Sequence, residues 1–251
     1  MPTALVTAGI IASVFLTSII SGILGMAGGM ILMAILVTAL PVASAMMLHG
    51  AIQATANGSR ALFLLEHIQW RILPPYLVGA GVALSGFLAI VMVPHPGLVL
   101  LLLGGLTWLG RVAPHFRGLN ICQPTSAFAC GLVITSAQLL AGASGPLLDL
   151  FYLNSPLNRH QVVASKALTQ TLGHVIKLGY YGIILVGADI AGGINGWLYL
   201  LAIATAISGT RIGTRLLDRV REDTFRRVSG WVILGIASIC LVSGTWQLAH
   251  G

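Results

Sequence analysis

Two long stretches of the chain contain no Asp, Glu, Lys or Arg, and this feature limits the fold more than any other. One covers residues 1–59 and the other covers residues 72–110. Since one crossing of a bilayer takes about 20 residues, each stretch is long enough for several buried helices. The whole chain of 251 residues is 57% hydrophobic and 8% charged, whereas a soluble domain is about a quarter charged. We therefore predict a membrane protein, with the lipid bilayer as its surroundings and no separate soluble domain.

The remaining composition excludes several other classes of protein. The formal net charge is +7, but the basic residues cluster at the ends of predicted helices, where they set orientation in the membrane, so we expect no nucleic-acid partner. Cys122, Cys130 and Cys240 share no CxxC or metal-ligand spacing, which indicates buried core residues and predicts no metal site. A Walker A motif is absent, so nothing supports an ATP-driven pump, and no cofactor is expected.

Apolar runs separated by Pro, Gly and charged residues predict ten helical segments. The second and seventh are short, at about 11 to 14 residues, and cover only part of a hydrocarbon core of about 30 Å. They are predicted to be half-helices or re-entrant pieces. The ten segments lie at about 3–24, 27–40, 42–65, 72–93, 97–112, 121–141, 145–155, 157–184, 190–213 and 224–248.

The chain also matches itself when it is shifted by 117 residues without gaps. The shift pairs Gly28 with Gly145 and Gln53 with Gln170, and it pairs Gly25 with Gly142 and Leu36 with Leu153. This predicts a duplication, with residues 1–118 and 119–251 as two repeats of a single transmembrane domain. Five segments in each repeat is an odd number, so the second repeat is inverted if every segment crosses. The predicted fold class is an all-α polytopic membrane protein of two inverted repeats, including short half-helices.

The distribution of basic residues predicts the orientation. The loop at 211–227 contains six arginines and is placed in the cytoplasm by the positive-inside rule. With ten crossings, the other Lys and Arg residues except Lys177 then fall at cytoplasmic ends. Both termini lie outside, in a multi-pass protein of the plasma (bacterial inner) membrane. If the two short segments re-enter instead, eight crossings remain, and the basic loops after residues 110 and 213 lie on opposite sides.

A stripe of polar side chains follows one face of the third predicted helix. His49, Gln53, Asn57 and Arg60 are spaced by four, four and three residues, which places them on one helical face. The stripe has two interpretations. The residues could stabilise helix packing, with Arg60 reaching toward the membrane surface, or they could form a transport site.

The second repeat contains the same stripe, as Lys166, Gln170, His174 and Lys177 of the eighth helix. This recurrence favours a functional site over packing alone. Gln53 and Gln170 lie about 11 to 13 residues into their helices, or about 17 to 20 Å along them, near the midplane of the bilayer. We therefore predict that the two glutamines bind a substrate there, together with Asn57 and His174. Arg60 and Lys177 are expected to attract it at an inner and an outer mouth.

Each short helix begins at a turn of small residues, which are Gly25 to Gly29 in one repeat and Gly142 to Pro146 in the other. A helix N-terminus carries unpaired N–H groups and about half a positive charge, so two such ends can bind one anion. Gly28, Gly29, Ser144 and Gly145 are therefore predicted to help bind a small anionic substrate. Close helix packing by glycine explains either turn equally well when that turn is taken alone.

Asp149 is the only acidic residue between Glu66 and Asp189. It either forms an ion pair with Lys166 or Lys177, or it carries a proton that couples transport to an ion gradient. His49 and His174 are further candidates for carrying a proton. The coupling group is therefore predicted among Asp149, His49 and Lys166, with a proton or sodium as the coupling ion.

The turn Gly142-Ala143-Ser144-Gly145, with His174 on the next long helix, resembles the serine and histidine of a rhomboid intramembrane protease. This gives an alternative function, in which Ser144 and His174 are catalytic. The first repeat has the same turn without serine, so the duplication explains the motif without a nucleophile. We therefore predict that the protein is not an enzyme and has no catalytic residues.

Taken together, these motifs resemble the sulfite exporter TauE/SafE family, also called the TSUP transporters. The similar pieces are the turn at Gly25 to Gly29, the turn at Gly142 to Pro146, the connection His67 to Arg71, and the loop Gly209 to Arg215 followed by Phe225-Arg226. The resemblance implies a secondary transporter, often an exporter, of sulfite or organosulfonates, driven by an ion gradient. The sequence leaves open the anion, the direction, the coupling ion and whether the chain forms a homo-oligomer.

Overall fold

The computed structural model describes residues 4–24, 27–112, 118–187, 195–217 and 222–250. These residues form ten α-helices and two short 3-10 turns, at Leu65–His67 and Trp70–Ile72. Within the described ranges the protein is all-helical, as predicted. The helices are α1 (Ala4–Leu24), α2 (Ala27–Ala39), α3 (Val42–Phe63), α4 (Leu73–Ile90), α5 (Pro96–Val112), α6 (Pro124–Ala141), α7 (Gly145–Tyr152), α8 (Arg159–Gly187), α9 (Gly196–Leu217) and α10 (Glu222–His250).

Proline and glycine mark several of the helix boundaries. Pro124 and Pro146 lie in the first turns of α6 and α7, where a missing N–H costs no hydrogen bond. Gly142 ends α6 with a φ of 77°, a left-handed conformation that glycine adopts readily. The ten predicted segments are confirmed, although α9 begins later than predicted, at Gly196, and residues 188–194 lie outside the described residues.

The helices pack mainly in four pairs, which are α1 with α9, α4 with α6, α5 with α10, and α3 with α8. Small residues bring the backbones of the first three pairs close together. In the α4–α6 pair, a side chain at Gly79 would strike the carbonyl of Phe128, and one at Gly131 would strike that of Tyr76. Such contacts suit helices in lipid, where close van der Waals packing holds neighbours together.

The packing pairs follow the proposed duplication. The shift of 117 residues carries α1 onto α6 and α4 onto α9, so the α1–α9 pair corresponds to the α4–α6 pair. The same shift carries α3 onto the first part of α8, so the α3–α8 pair consists of two corresponding helices. A pseudo-two-fold axis between two repeats would produce these correspondences, and the inversion of the second repeat itself stays a prediction.

Large apolar side chains cover the outside of the molecule, as expected for a surface in contact with lipid tails. Examples are Leu200 at 72% exposed, Val242 at 70% and Trp231 at 73%. Four helical stretches are long and apolar enough to cross a membrane, namely Ala4–Ile23, Trp70–Ile90, Pro124–Ala141 and Trp231–His250. The protein is therefore a polytopic helical membrane protein, while the number of crossings stays a prediction.

The buried apolar residues of the described structure include two large clusters. One combines residues of α2, α3 and α5 with parts of α1, α8 and α9, and the other combines α4, α6 and α7. Polar residues of α3 and α8 are buried as well, among them His49, Asn57, Gln170 and His174. A polar site therefore lies in the middle of the helical bundle, where the predicted stripes meet.

Candidate functional site

A small cavity lies between α3, α8 and the first turns of the two short helices. Its volume is about 40 Å³, which is room for roughly three water molecules. Side chains or backbone of fifteen residues surround it: Ser21, Gly29, Met30, His49, Gln53, Ala56, Asn57, Arg60, Gln138, Ala143, Ser144, Gly145, Gln170, His174 and Thr210. The cavity therefore brings together most of the residues that the two stripes and the two turns predicted.

Both glutamines line this cavity, Gln53 from α3 and Gln170 from α8. The amide of Gln53 packs against the backbone of Gly29 at the start of α2. Asn57 follows one turn later and donates from Nδ2 to the carbonyl of Gln53 at 3.0 Å. The structure thus places two amide side chains from the two repeats in one site, although their role in binding stays a prediction.

The ends of the two stripes meet crosswise. His49 of α3 lies beside Lys177 of α8, with 2.9 Å between Nδ1 and Nζ, and its ring centroid is 5.6 Å from that of His174. At the other end, Arg60 and Lys166 are near enough for their like charges to repel each other. The shift of 117 pairs His49 with Lys166 and Arg60 with Lys177. His49 therefore lies beside the counterpart of Arg60, and Arg60 lies near the counterpart of His49. Two antiparallel helices related by a two-fold axis would bring these residues together in this way.

The two predicted turns contribute unequally to the cavity. Gly29, Ser144 and Gly145 line it, whereas Gly28 packs against Thr17 and Ser21 of α1. The predicted binding role of Gly28 is therefore replaced by helix packing, and Gly25 lies outside the described residues. The hydroxyl of Ser144 is buried without a hydrogen-bond partner among the described residues.

Lys177 is not at an outer mouth, contrary to the prediction, because its side chain is 0% exposed. Its Nζ donates to the carbonyl of Gly142 at 2.9 Å and contacts His49 Nδ1. His49 Nε2 in turn donates to the carbonyl of Gly29 at 2.9 Å. This network links α3 and α8 to the start of α2 and to the turn that precedes α7.

Asp149 forms an ion pair with Lys166, which is one of the two pairings that the sequence allowed. The side chain of Asp149 is 45% exposed and that of Lys166 is 20% exposed. Neither residue lines the cavity. A carboxylate that is half exposed and paired costs little to keep charged, so a structural ion pair also explains this geometry, and the coupling role of Asp149 stays a prediction.

The prediction missed three polar residues of the cavity, namely Ser21, Gln138 and Thr210. Two of them carried a signal, because the shift of 117 pairs Ser21 with Gln138. Gln138 packs against Gly173, and its Oε1 is buried without a hydrogen-bond partner among the described residues. Polar residues at equivalent positions of the repeats would therefore have identified the contributions of α1 and α6.

The cavity lining contains no carboxylate among the described residues, and Arg60 is its only permanently charged side chain. A larger cavity of about 520 Å³ shares Ala56, Arg60 and Thr210 with the site, and Arg211 and Arg215 lie along it. Positive charge therefore lines the approach from the Arg60 end. These features favour a negatively charged ligand.

The geometry of Ser144 and His174 does not resemble that of an activated nucleophile. Both residues line the cavity, but neither Ser144 Oγ nor His174 Nδ1 has a hydrogen-bond partner among the described residues. A serine protease requires a base within hydrogen-bond reach of the hydroxyl. No observation in the described part of the chain favours the rhomboid alternative.

A bundle of apolar helices with a small polar cavity at the crossing of two central helices is the architecture of a membrane transporter. The chain belongs to the sulfite exporter TauE/SafE family, whose sequence model matches residues 10–239. Members of this family are transporters of sulfur-containing anions, so the resemblance drawn from the two turns and the duplication is confirmed. Neither a curated protein nor a solved structure matches the chain.

Proposed function

We propose that this protein is a secondary transporter that exports small sulfur-containing anions, such as sulfite or organosulfonates, across the bacterial inner membrane. The observation that supports this most directly is the central cavity, where Gln53 and Gln170 meet the start of α7 and no described carboxylate is present. The family supplies the class of substrate. Export, energy coupling and the identity of the anion are parts of the proposal.

Neutral donors are well suited to an anion that must bind and then leave. Each hydrogen bond to a charged ligand contributes about 1.5 to 3 kcal/mol, so a few amide donors can replace much of the water around a small oxyanion. The N-terminus of α7 adds backbone donors and a partial positive charge at Ser144 and Gly145. Such a site binds without the fixed charge that would make release slow.

The volume of the cavity favours a small ligand. A space of about 40 Å³, or roughly three water molecules, is close to the size of an oxyanion with four heavy atoms. An organosulfonate with a carbon chain would extend past Arg60 toward the wider cavity near Arg211 and Arg215. The same site can therefore hold both sulfite and the head group of a longer sulfonate.

The positions of the basic residues support access to the cavity from the cytoplasm. The central cavity shares lining residues with the larger cavity, which lies at the C-terminal ends of α3 and α9 beside Arg211 and Arg215. The positive-inside rule places this end in the cytoplasm. His49 lies about three turns before Arg60 on α3, toward the opposite end of the helix, so the proposal has anions enter from the cytoplasmic side past Arg60.

The proposed function is tested by transport of labelled anions in proteoliposomes. We expect saturable flux of sulfite and of a simple sulfonate, competition between them, and no flux in empty liposomes. The double variant Gln53→Ala/Gln170→Ala should lose the flux, whereas Gln161→Ala, a glutamine of α8 outside the cavity, should retain it. Equal flux in the double variant and in Gln161→Ala would contradict the proposed site, and absence of any anion flux would contradict the function.

A further inference from the structure

Lys177 is a buried basic group without an acidic partner among the described residues. Its side chain is 0% exposed. The ion pairs formed by described side chains are Asp149 with Lys166 and Glu66 with His67, and both lie away from Lys177. A buried charge without a counter-charge costs several kcal/mol. A charged Lys177 is therefore disfavoured at this position unless a negative ligand lies nearby.

The hydrogen bonds around Lys177 fit both protonation states. His49 donates its Nε2–H to the carbonyl of Gly29, so its Nδ1 carries a lone pair and accepts from Lys177. A neutral amine has two N–H groups, and two acceptors are present, the Gly142 carbonyl and His49 Nδ1. One added proton gives either an ammonium or an imidazolium, without movement of any heavy atom. The two residues therefore form one unit that can gain or lose a proton.

This pair lies directly behind the anion cavity. His49 lines the cavity, and so does His174, whose ring meets that of His49 edge-on. His174 is 3% exposed, and its Nδ1 has no hydrogen-bond partner among the described residues. A proton on the pair would thus lie close to an anion in the cavity. The positive charge of the pair and the negative charge of the anion would then stabilise each other.

Few other titratable groups face the pair. His174 lies one turn before Lys177 on α8, and Tyr181, one turn after it, donates its hydroxyl proton to the Leu139 carbonyl. Among the titratable or charged residues of the elements that pack against α8, His49 alone contacts Lys177 in the described structure. These residues are His49 and Arg60 of α3, Tyr76 of α4, Cys130 of α6, Asp149 and Tyr152 of α7, and Glu66 and His67 of the first 3-10 turn.

We propose that the Lys177–His49 pair takes up one proton when an anion enters the cavity, so that anion and proton cross the membrane together. This inference rests on the proposed function, and it names the coupling ion and the group that carries it. The proton adds to the pair from solvent, and it leaves to solvent when the anion leaves. A dianion then crosses with a net charge of about −1, and a membrane potential that is negative inside favours its exit.

The experiment is calorimetric binding of methanesulfonate to the purified protein, in buffers of different protonation enthalpy at several pH values. Methanesulfonate does not titrate near neutral pH, so any proton exchanged comes from the protein. We expect uptake of up to one proton for each anion bound. Where the free pair is deprotonated, Kd should rise toward tenfold for each added pH unit. A parallel titration with sulfite, corrected for the protonation of sulfite itself, should give the same proton count.

Two variants at position 177 distinguish the effect of a fixed positive charge from the effect of proton uptake. Lys177→Arg keeps the charge but cannot lose its proton, so it should bind the anion with no proton uptake and with a Kd independent of pH. Lys177→Gln should lose the uptake and bind at least tenfold more weakly. His160→Gln, an exposed histidine at the start of the same helix, is the matched control and should behave as the wild type, as should Asp149→Asn.

The outcomes are distinct. Anion binding by the wild type without proton uptake overturns the inference and leaves the proposed function standing. Loss of uptake in Asp149→Asn also overturns it, because Asp149 would then carry the proton. If the wild type binds neither methanesulfonate nor sulfite, the proposed function fails and the inference fails with it. If both Lys177 variants fail to fold, the buffer series on the wild type and on Asp149→Asn still decides.

Discussion

Gln53 and Gln170 are the two residues on which the proposed anion site depends most. They are identical under the 117-residue shift and line one cavity from α3 and α8. Since each hydrogen bond to a charged ligand contributes about 1.5 to 3 kcal/mol, Gln53→Ala or Gln170→Ala should weaken anion binding about ten- to a hundredfold. Calorimetry on the purified variants measures this, with Gln161→Ala as control. Wild-type affinity in both variants would remove the glutamines from the site.

Arg60 lines both the central cavity and the wider cavity beside Arg211, and the proposal places it at the entrance. A positive charge there raises the local concentration of anions, and salt screens this effect. Arg60→Ala should therefore slow anion uptake at low ionic strength and have little effect at high ionic strength. Stopped-flow binding over a salt series measures the rates, with Arg71→Ala as control. A loss of affinity that salt does not change would place Arg60 within the binding site.

Ser144 distinguishes the transporter from the protease. Its hydroxyl has no hydrogen-bond partner among the described residues, and the first repeat has Ala27 at the equivalent position. Because the backbone of the turn faces the anion, Ser144→Ala should retain most of the anion flux in proteoliposomes. Labelling of the wild type by a fluorophosphonate, with loss of labelling in Ser144→Ala, would instead indicate a reactive serine.

At the scale of the elements, close backbone contact should make particular glycines essential for stability. A methyl group at Gly79 would strike the Phe128 carbonyl of α6, whereas one at Gly81, on the same helix, has nothing within 4 Å. Gly79→Ala should therefore destabilise the protein by about 1 to 3 kcal/mol, while Gly81→Ala should be neutral or stabilising. Thermal unfolding in detergent compares the two variants. Equal unfolding temperatures would show that α4 and α6 can separate without cost.

The helices and most of the site could be predicted because hydropathy, proline and the duplication are local signals in the chain. Residues at equivalent positions of a repeat, such as Gln53 and Gln170, were expected together and do line one cavity. The position of Lys177 could not be predicted in this way. Its burial depends on how α3 and α8 cross, which places it beside His49, and no periodicity within one helix contains that information. The role of Gly28 depends in the same way on its neighbour α1.

At the scale of the whole molecule, ten helices that all cross would place both termini on one side of the membrane. The positive-inside rule puts the arginine-rich end of α9, with Arg211 and Arg215, in the cytoplasm, and both termini in the periplasm. Alkaline phosphatase fused after Gly251 should therefore be active, and a green fluorescent protein fused there should be dark. A fusion after Arg215 is the opposite control. The reverse pattern would contradict ten crossings in the predicted orientation.

The glycine contacts within the helix pairs also limit how this molecule can change shape. In α5 and α10, Gly97 and Gly244 each touch the carbonyl of the other, and in α1 and α9, Gly22 lies against Gly213. Helices in such close backbone contact would lose these contacts if they slid or rotated separately, so we expect each of these pairs to move as one rigid body. To open the cavity first to one side and then to the other, we expect the pairs to tilt around α3 and α8. A complete transport cycle is then a rearrangement of a few rigid bodies about a central axis rather than of ten independent helices.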